Sequence, residues 1–217
     1  MTAKKKNFTA DDIISKYMDY VLEHEHEPVS IYKFCKHQEI PEDQFYTVAG
    51  SFDSLRKTIW KRFFENTHEV MLKSDGFEGL SAKDKMLTMF YTLFEVFTAN
   101  RSYVLYSLQG KKDKMKSLKE LSELRKAIKE FAGELIQESN DEKQLRILKH
   151  PVSLFSEGAW VQTLFLLKYW MDDNSPAFEK TDVAIEKSVR VIFDVFETTP
   201  LESIIDFGKF LWKEKMA

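Results

Sequence analysis

The stretch from Glu27 to Trp60 constrains the fold of this 217-residue chain most, because it predicts three helices with very short connections. Ser30 is a residue type that commonly caps helices, and the first of the three begins directly after it. Ile31, Phe34 and Cys35 are spaced as one apolar face, which predicts a short helix that is buried on that side.

A tight turn at Gln38 and Glu39 separates this helix from a second short one. Pro41 suits the first position of the second helix, where its missing N–H costs nothing, and we expect Phe45 to be its buried residue. Two short helices joined by such a turn form a helix-turn-helix, whose second helix usually enters the major groove of DNA.

A longer helix follows the second short one. Ser51 is its predicted cap, and the apolar residues Leu55 and Ile59 recur on one face. We expect this helix to reach about Leu72, because the Ser-Asp-Gly sequence at 74–76 is a typical helix stop.

Residues 8–65 resemble the N-terminal domain of TetR-family transcriptional regulators. Tyr46 stands where an aromatic residue ends the recognition helix of that family. Ser51 and Leu55 match the Ser-x-x-x-Leu sequence that opens its fourth helix. The resemblance implies an all-α, TetR-like fold, with an N-terminal three-helix domain that contains the helix-turn-helix and a C-terminal helical domain for ligand binding and dimerisation.

The implied domains are 1–50 for the N-terminal arm and helix-turn-helix, 51–73 for the linking fourth helix, and 74–217 for the C-terminal domain. Such a regulator is a homodimer that binds double-stranded operator DNA and responds to a small apolar or lipid-like ligand. The predicted DNA contacts are Ser30, Gln44, Tyr46 and Thr47, with Lys4, Lys5, Lys6 and Lys57 on phosphates. The three arm lysines also fit a loose, solubilising terminus, and that is the preferred interpretation of the arm.

The sequence departs from the family pattern at the residues that would meet DNA. Glu39 replaces the usual glycine of the turn, and Phe52 replaces a lysine that grips a phosphate. The recognition helix begins with Glu42 and Asp43. DNA carries one negative charge per ~1.7 Å, so these carboxylates oppose binding unless each accepts a hydrogen bond from a cytosine amino group.

The second half of the chain predicts further apolar helices, with one beginning after Ser81, one at Val152 and one capped by Thr181. A last helix is predicted after Pro200. Aromatic residues make up 14% of the chain, and most of them follow residue 89. They predict either a packed core or an apolar ligand pocket between helices. The candidate pocket residues are Phe90, Phe94, Phe97, Tyr103, Trp160 and Tyr169.

Residues 169–181 are also similar to a stretch of the coenzyme Q accessory lipid-binding proteins, which have the TetR fold but do not act as repressors. Asp173, Ser175 and Thr181 carry that similarity, and the same three residues also make a good generic turn. The alternative function is therefore a TetR-fold lipid-binding or adaptor protein that has lost DNA binding.

The composition narrows the function classes. Seven Gly and five Pro are too few for a turn-rich all-β protein, and a net charge of −3 argues against coating nucleic acid through bulk charge. The single cysteine, Cys35, excludes an intramolecular disulfide. The longest apolar run, from Trp160 to Met171, is shorter than the about 20 residues that a membrane span needs. We expect a cytoplasmic protein with no integral membrane segment.

No set of residues predicts catalysis, and we expect no enzyme activity, no cofactor and no metal site. The run Glu-His-Glu-His-Glu at 23–27 contains metal-ligand types, but imidazoles at i and i+2 diverge on a helix, so we expect a solvated helix end. Glu65 and His68 have the Glu-x-x-His spacing of one half of a di-iron site, which also needs a second such pair and two more carboxylates on facing helices, so we expect a partly exposed polar face here.

Overall fold

The computed structural model describes residues 7–109, 118–141 and 151–198. The regular elements of these ranges are α-helices and two short 3₁₀ turns, at Phe77–Gly79 and Pro176–Phe178. The α-helices are α1 (Ala10–His24), α2 (Ile31–His37), α3 (Glu42–Val48), α4 (Phe52–Leu72), α5 (Ala82–Ala99), α6 (Arg101–Gln109), α7 (Ser122–Asp141), α8 (Val152–Asp172) and α9 (Glu179–Thr198). This architecture confirms the predicted all-α fold. The helix predicted after Pro200 lies outside the described residues.

The helix starts follow the capping chemistry of the sequence. The Lys33 N–H donates to Ser30 Oγ at 3.2 Å, and the Ser54 N–H donates to Ser51 Oγ at 3.1 Å, so both predicted caps are confirmed. Pro41 differs from its prediction, because its ψ of 129° is extended and α3 begins one residue later. Pro41 is therefore the cap position and not the first helical residue.

Two compact units make up the chain, one from residues 1–70 with 93–127 and the other from 71–92 with 128–217. The division cuts across α5 and α7, each of which contributes to both units. The domain boundaries at 50 and 73 stay a prediction.

An aromatic cluster forms the core of the three-helix part of the first unit. Tyr17 of α1 stacks on Phe52 of α4 with ring centroids 5.5 Å apart. Phe34 of α2 and Phe45 of α3 meet edge to face at 6.1 Å, and each also meets Phe52 at less than 6 Å. Offset and edge-to-face pairs are favourable beyond their burial, so the cluster holds α2 and α3 against α1 and α4.

The Cys35 thiol is buried beside this cluster, as its place in the apolar pattern predicts. Burial raises the pKa of the thiol to about 11, with a smaller contribution from the Glu42 carboxylate. A thiol with a raised pKa is a poor nucleophile, so Cys35 acts as a small apolar core residue.

The second unit is built around the antiparallel pair α8 and α9. Phe155 of α8 and Phe193 of α9 meet edge to face at 5.5 Å. The Gln162 side-chain amide donates to the Ser188 hydroxyl at 2.8 Å, which satisfies a buried polar group of α8. None of the helices in the three described ranges is sufficiently long and apolar to cross a membrane.

Candidate functional site

The turn between α2 and α3 is short and closed by a backbone hydrogen bond. The Ile40 N–H donates to the Cys35 carbonyl at 2.9 Å, which is the closing bond of a Schellman motif. Glu39 therefore adopts a left-handed conformation with φ of 55°. Left-handed backbone costs a residue with a Cβ about 1–2 kcal/mol, and glycine avoids this cost. The structure thus explains why glycine is usual at this position.

Phe52 also has a structural reason for its departure from the family pattern. Its half-buried ring belongs to the aromatic core of the three-helix part and contacts Tyr17, Phe34 and Phe45. The position has a role in packing, and its side chain cannot bind a phosphate as a lysine does.

The polar groups predicted to contact DNA already have partners inside the first unit. Ser30 Oγ caps α2, and Gln44 Oε1 accepts from the Phe8 N–H at 2.8 Å. The Thr47 hydroxyl donates to the Gln44 carbonyl at 2.7 Å. Tyr46 is 52% exposed and Thr47 is exposed as well, so both are accessible on α3. Lys57 is half-buried on α4, and the three lysines of the arm lie outside the described residues.

The acidic start of α3 has a local role. Glu42 accepts a hydrogen bond from the Tyr46 hydroxyl at 3.1 Å, and this bond raises the pKa of Tyr46. Glu42 and Asp43 also lie in the first turn of α3, where negative charge is favourable next to the helix dipole.

Two basic residues on the helix-turn-helix are absent from the predicted contacts. Lys33 and Lys36 of α2 are both exposed, on the side of the helix that faces away from the buried Phe34. Tyr32 lies next to Lys33 and is 60% exposed. The helical spacing relative to Phe34 would have indicated this surface from the sequence.

A buried ion cluster centred on Arg56 of α4 is the main polar feature of the first unit. Arg56 is 2% exposed, and its Nε donates to Glu120 Oε1 at 2.6 Å. Its Nη1 lies 3.0 Å from Glu27 Oε1, and its Nη2 contacts Asp53. The second oxygen of Glu120 accepts from the Ser107 hydroxyl at 3.2 Å. One guanidinium therefore connects the α1–α2 loop, α6 and the turn before α7.

Electrostatics keep this guanidinium charged. Burial acts to lower the pKa of Arg56, but the Tyr17 hydroxyl and the carboxylates of Glu120 and Glu27 outweigh burial and raise it. Arg56 and Glu120 are 64 positions apart in the sequence, so no local pattern predicts their pairing.

The six predicted ligand-binding residues belong to two different units, three to each. Phe94, Phe97 and Tyr103 are buried in the first unit, where Phe94 and Phe97 meet at 5.4 Å and Phe97 contacts Trp60 at 5.6 Å. Their rings pack against each other and against α4, as core residues do.

The other three predicted pocket residues belong to the second unit. Phe90 and Trp160 are buried, whereas Tyr169 is 38% exposed and lies 6.2 Å from Phe165 on the surface of α8. Tyr169 therefore lies at the surface, where it lines the exposed groove between α8 and α9, and its part in ligand binding stays a prediction. The apolar pattern of α8 covers nearly the whole helix, so the pattern alone does not distinguish its inner face from its outer face.

An exposed apolar groove of about 870 Å³ runs along α8 and α9. Val161 and Phe165 of α8 are 64% and 54% exposed, and Val191 of α9 is 59% exposed. Soluble chains rarely leave a contiguous apolar surface of this kind uncovered, which marks the groove as an interaction surface.

A second cavity, of about 810 Å³, lies among the N-terminal ends of α5 and α8 and the C-terminal ends of α7 and α9. Phe155, Phe193 and Leu135 contribute apolar walls, while Lys85 and Glu138 form an ion pair of 3.3 Å beside it. The six predicted ligand residues do not line this cavity.

The stretch around Asp173 forms a closed turn between α8 and α9. One carboxylate oxygen of Asp173 accepts from the Ser175 N–H and hydroxyl at 2.9 and 2.7 Å. The other accepts from the Thr181 N–H and hydroxyl at 2.9 and 2.7 Å. Burial acts to raise the pKa of Asp173, but these hydrogen bonds outweigh it and lower the pKa to about 2.

Thr181 was expected to cap the helix that follows, and this prediction is wrong. α9 begins at Glu179, so Thr181 lies inside its first turn and donates its hydroxyl to Asp173. The polar groups that carry the lipid-binding similarity are therefore used by the turn itself.

A comparison with family models identifies the class. Residues 85–211 match the family described as "Tetracyclin repressor-like, C-terminal domain". The match covers more than half of the 217 residues, so the chain belongs to the tetracycline repressor-like (TetR) family, as its N-terminal pattern predicts. No curated protein sequence matches the chain.

Proposed function

We propose that this protein is a one-component transcriptional regulator that binds operator DNA as a homodimer and responds to a small apolar ligand. The observation that carries the proposal is the helix-turn-helix of α2 and α3, closed by a Schellman turn, in a chain whose C-terminal part belongs to the TetR family. We expect a cytoplasmic protein without enzyme activity.

The proposed DNA surface is the exposed side of α2 and α3. Tyr46 and Thr47 are accessible on α3, and Lys33 and Lys36 supply positive charge on α2. The further proposed contacts are Ser30, Gln44, Lys57 and the arm residues Lys4, Lys5 and Lys6. Lysines on phosphates supply affinity that is independent of sequence, so binding should weaken steeply with salt.

The proposed dimer interface is the groove on α8 and α9, with a second copy of the chain as its occupant. Val161, Phe165 and Val191 are exposed apolar residues on adjacent helices, and burying them removes that surface from water. Two such helix pairs form a four-helix bundle, and a two-fold axis places two recognition helices on half-sites about 34–36 Å apart.

The ligand would act by binding one arrangement of the dimer better than the other, since a ligand shifts an equilibrium only through such a difference. The cavity beside Phe155 and Phe193 has the volume of a small-molecule site, and its walls are partly apolar and partly polar. The residues Phe90, Phe94, Phe97, Tyr103, Trp160 and Tyr169 stay the sequence-based candidates.

A lipid-binding or adaptor protein that has lost DNA binding is the second candidate. Phe52 in place of a phosphate-binding lysine and the acidic start of α3 favour it. The Asp173 turn does not favour it, because the hydrogen bonds of this stretch already have a structural role.

A gel-shift titration against the DNA upstream of the protein's own gene tests the proposal, at about 50 mM and 200 mM salt. We expect saturable binding at low salt that weakens with salt, and Lys33→Ala with Lys36→Ala should reduce the salt slope by about four, or about two per protomer of the dimer. Lys168→Ala is the matched control, since Lys168 is exposed on α8 and pairs only locally with Asp172.

Absence of binding at low salt would reject the regulator. Native mass spectrometry of freshly purified protein tests the second candidate directly. A co-purifying lipid without DNA binding would support the lipid-binding protein, whereas specific DNA binding by a protein with a clean apo mass would reject it.

A further inference from the structure

The cavity of about 810 Å³ in the second unit combines an aromatic wall with charged side chains. The Phe155 ring meets the rings of Phe193 and Phe196 edge to face, with centroids 5.5 and 5.1 Å apart. Leu135 adds an aliphatic wall, and Lys85 lines the same cavity. Small-molecule sites of about 300–1,000 Å³ combine apolar walls with a few polar groups that fix the orientation of the ligand. The lining therefore suits a molecule with an apolar body and one polar group.

Lys85 of α5 places a largely buried cation at this cavity. Its side chain is 14% exposed, and Nζ lies 3.3 Å from Glu138 Oε2. Hydrogen bonds between an ammonium and a carboxylate are commonly about 2.7–2.9 Å long, so this ion pair is a loose one. The Glu138 side chain is 65% exposed, and water can solvate its carboxylate when Lys85 takes another partner. The Lys85 ammonium is therefore available to an anionic group of a ligand.

The burial of the charged residues favours an anion over a cation in this cavity. Its acidic residues, Glu78 and Glu138, are both exposed, so solvent screens their carboxylates. Its basic residues, Lys83 and Lys85, are both half-buried, and partly buried charges are screened much less. A bound anion is thus attracted by the lysines more strongly than it is repelled by the carboxylates.

We propose that the cavity binds an amphipathic monocarboxylate, with its carboxylate on Lys85 and its apolar body against Phe155, Phe193 and Phe196. The carboxylate accepts a charge-assisted hydrogen bond from the ammonium, and Glu138 is released to water. An uncharged analogue leaves the Lys85–Glu138 pair in place and gains only the burial of its apolar body. The inference names the chemistry of the ligand, and its regulatory role rests on the proposed function.

Isothermal titration of the full chain, without DNA, tests the site with octanoate, octan-1-ol and octylammonium as probes. The three molecules share one apolar chain and differ in the charge of the polar group. We expect saturable binding of one octanoate per chain and binding of the other two that is weaker by about tenfold or more, because only octanoate forms the charge-assisted bond. Decanoate, which adds two methylenes, should bind about tenfold more tightly than octanoate.

Two variants test the two ends of the site. Lys85→Met removes the cation but keeps a long side chain, so it should weaken octanoate binding about tenfold or more and leave octan-1-ol binding unchanged. Phe196→Ala should weaken the binding of both probes alike, because it shortens only the apolar wall. Lys129→Met is the matched control, since Lys129 is a half-buried lysine of α7 that pairs with Glu157 and does not line this cavity.

Absence of saturable octanoate binding, or equal affinity for octanoate and octylammonium, overturns the proposal. Equal losses of octanoate affinity in Lys85→Met and Lys129→Met overturn it as well. The titration contains no DNA, so its outcome is independent of whether the protein binds an operator. If octanoate binds as expected but leaves the affinity for DNA unchanged, the site stands and the proposed ligand response fails.

Discussion

Replacing Arg56 by methionine should destabilise the protein far more than replacing any exposed arginine. The substitution keeps a long aliphatic side chain but leaves the Glu120 carboxylate, which is 3% exposed, without its cation. Removing one partner of a buried ion pair costs about 3–5 kcal/mol, because the remaining charge is buried and has lost the cation that it pairs with. Glu27 and Asp53 add little to this cost, since their side chains are 37% and 73% exposed.

Arg62 provides a matched control on the same helix. It also pairs with carboxylates, of Asp11 at 2.7 Å and of Glu69 at 2.9 Å, but these partners stay in contact with water. Arg62→Met should therefore lower the free energy of unfolding by about 1 kcal/mol or less. The contrast between the two arginines isolates burial as the cause of the larger cost.

A second substitution tests the mechanism. Glu120→Gln removes the buried charge while keeping an oxygen that accepts from Ser107. Combined with Arg56→Met, it should restore most of the lost stability, with a coupling energy of about 2 kcal/mol or more. Urea unfolding followed by circular dichroism, at one fixed protein concentration, gives all four free energies. If Arg56→Met costs no more than Arg62→Met, or if Glu120→Gln restores nothing, the assignment of the cost to the buried charge of Glu120 is wrong.

Three further predictions follow from backbone conformation, hydrogen bonding and exposed surface. Glu39→Gly should raise the free energy of unfolding by about 0.5–1 kcal/mol in urea melts, because glycine removes the strain of the left-handed turn; unchanged stability would show that the turn is unstrained. Asp173→Asn should lower the free energy of unfolding by about 1–3 kcal/mol. Because the pKa of Asp173 is lowered to about 2, its contribution is present above the unfolded pKa of about 3.9 and is lost as the pH falls towards 2. Thermal melts between pH 2 and 5 should show this loss of stability in the wild type and a smaller loss in Asp173→Asn. If the stability of the two proteins depends equally on pH, the Asp173 carboxylate does not stabilise the turn in this way. Phe165→Glu should weaken self-association, measured by light scattering, about tenfold or more, whereas Lys168→Glu on the same helix should not weaken it. If the two variants dimerise alike, the α8–α9 groove is not the dimer interface.

The sequence predicts most of what depends on neighbouring residues. Ser30 and Ser51 cap their helices as expected, because capping is decided within three residues. The bounds of α4 and α8 also follow from local stop signals. Thr181 is the exception, since Asp173, eight positions earlier, takes its hydroxyl.

Contacts between distant residues account for the features that the sequence does not reveal. Arg56 pairs with Glu120, which is 64 positions away in the sequence. Gln44 accepts from the Phe8 N–H, which is 36 positions away. Gln44 looks like a DNA contact in the sequence because its type and position suit one, yet its carbonyl oxygen has a partner inside the unit. Tertiary contacts thus decide which polar groups of α3 remain accessible. The apolar periodicity of the sequence carries no information about such contacts.

Phe52 couples the start of α4 to the aromatic core of the three-helix part. Phe52→Lys would place a cation there but would remove a ring that three other aromatic residues pack against. The loss of a half-buried phenyl ring costs roughly 1–3 kcal/mol, a large share of the stability of a small three-helix unit. Lysines at the exposed positions of α2, such as Lys33 and Lys36, carry positive charge on this unit without that loss of packing.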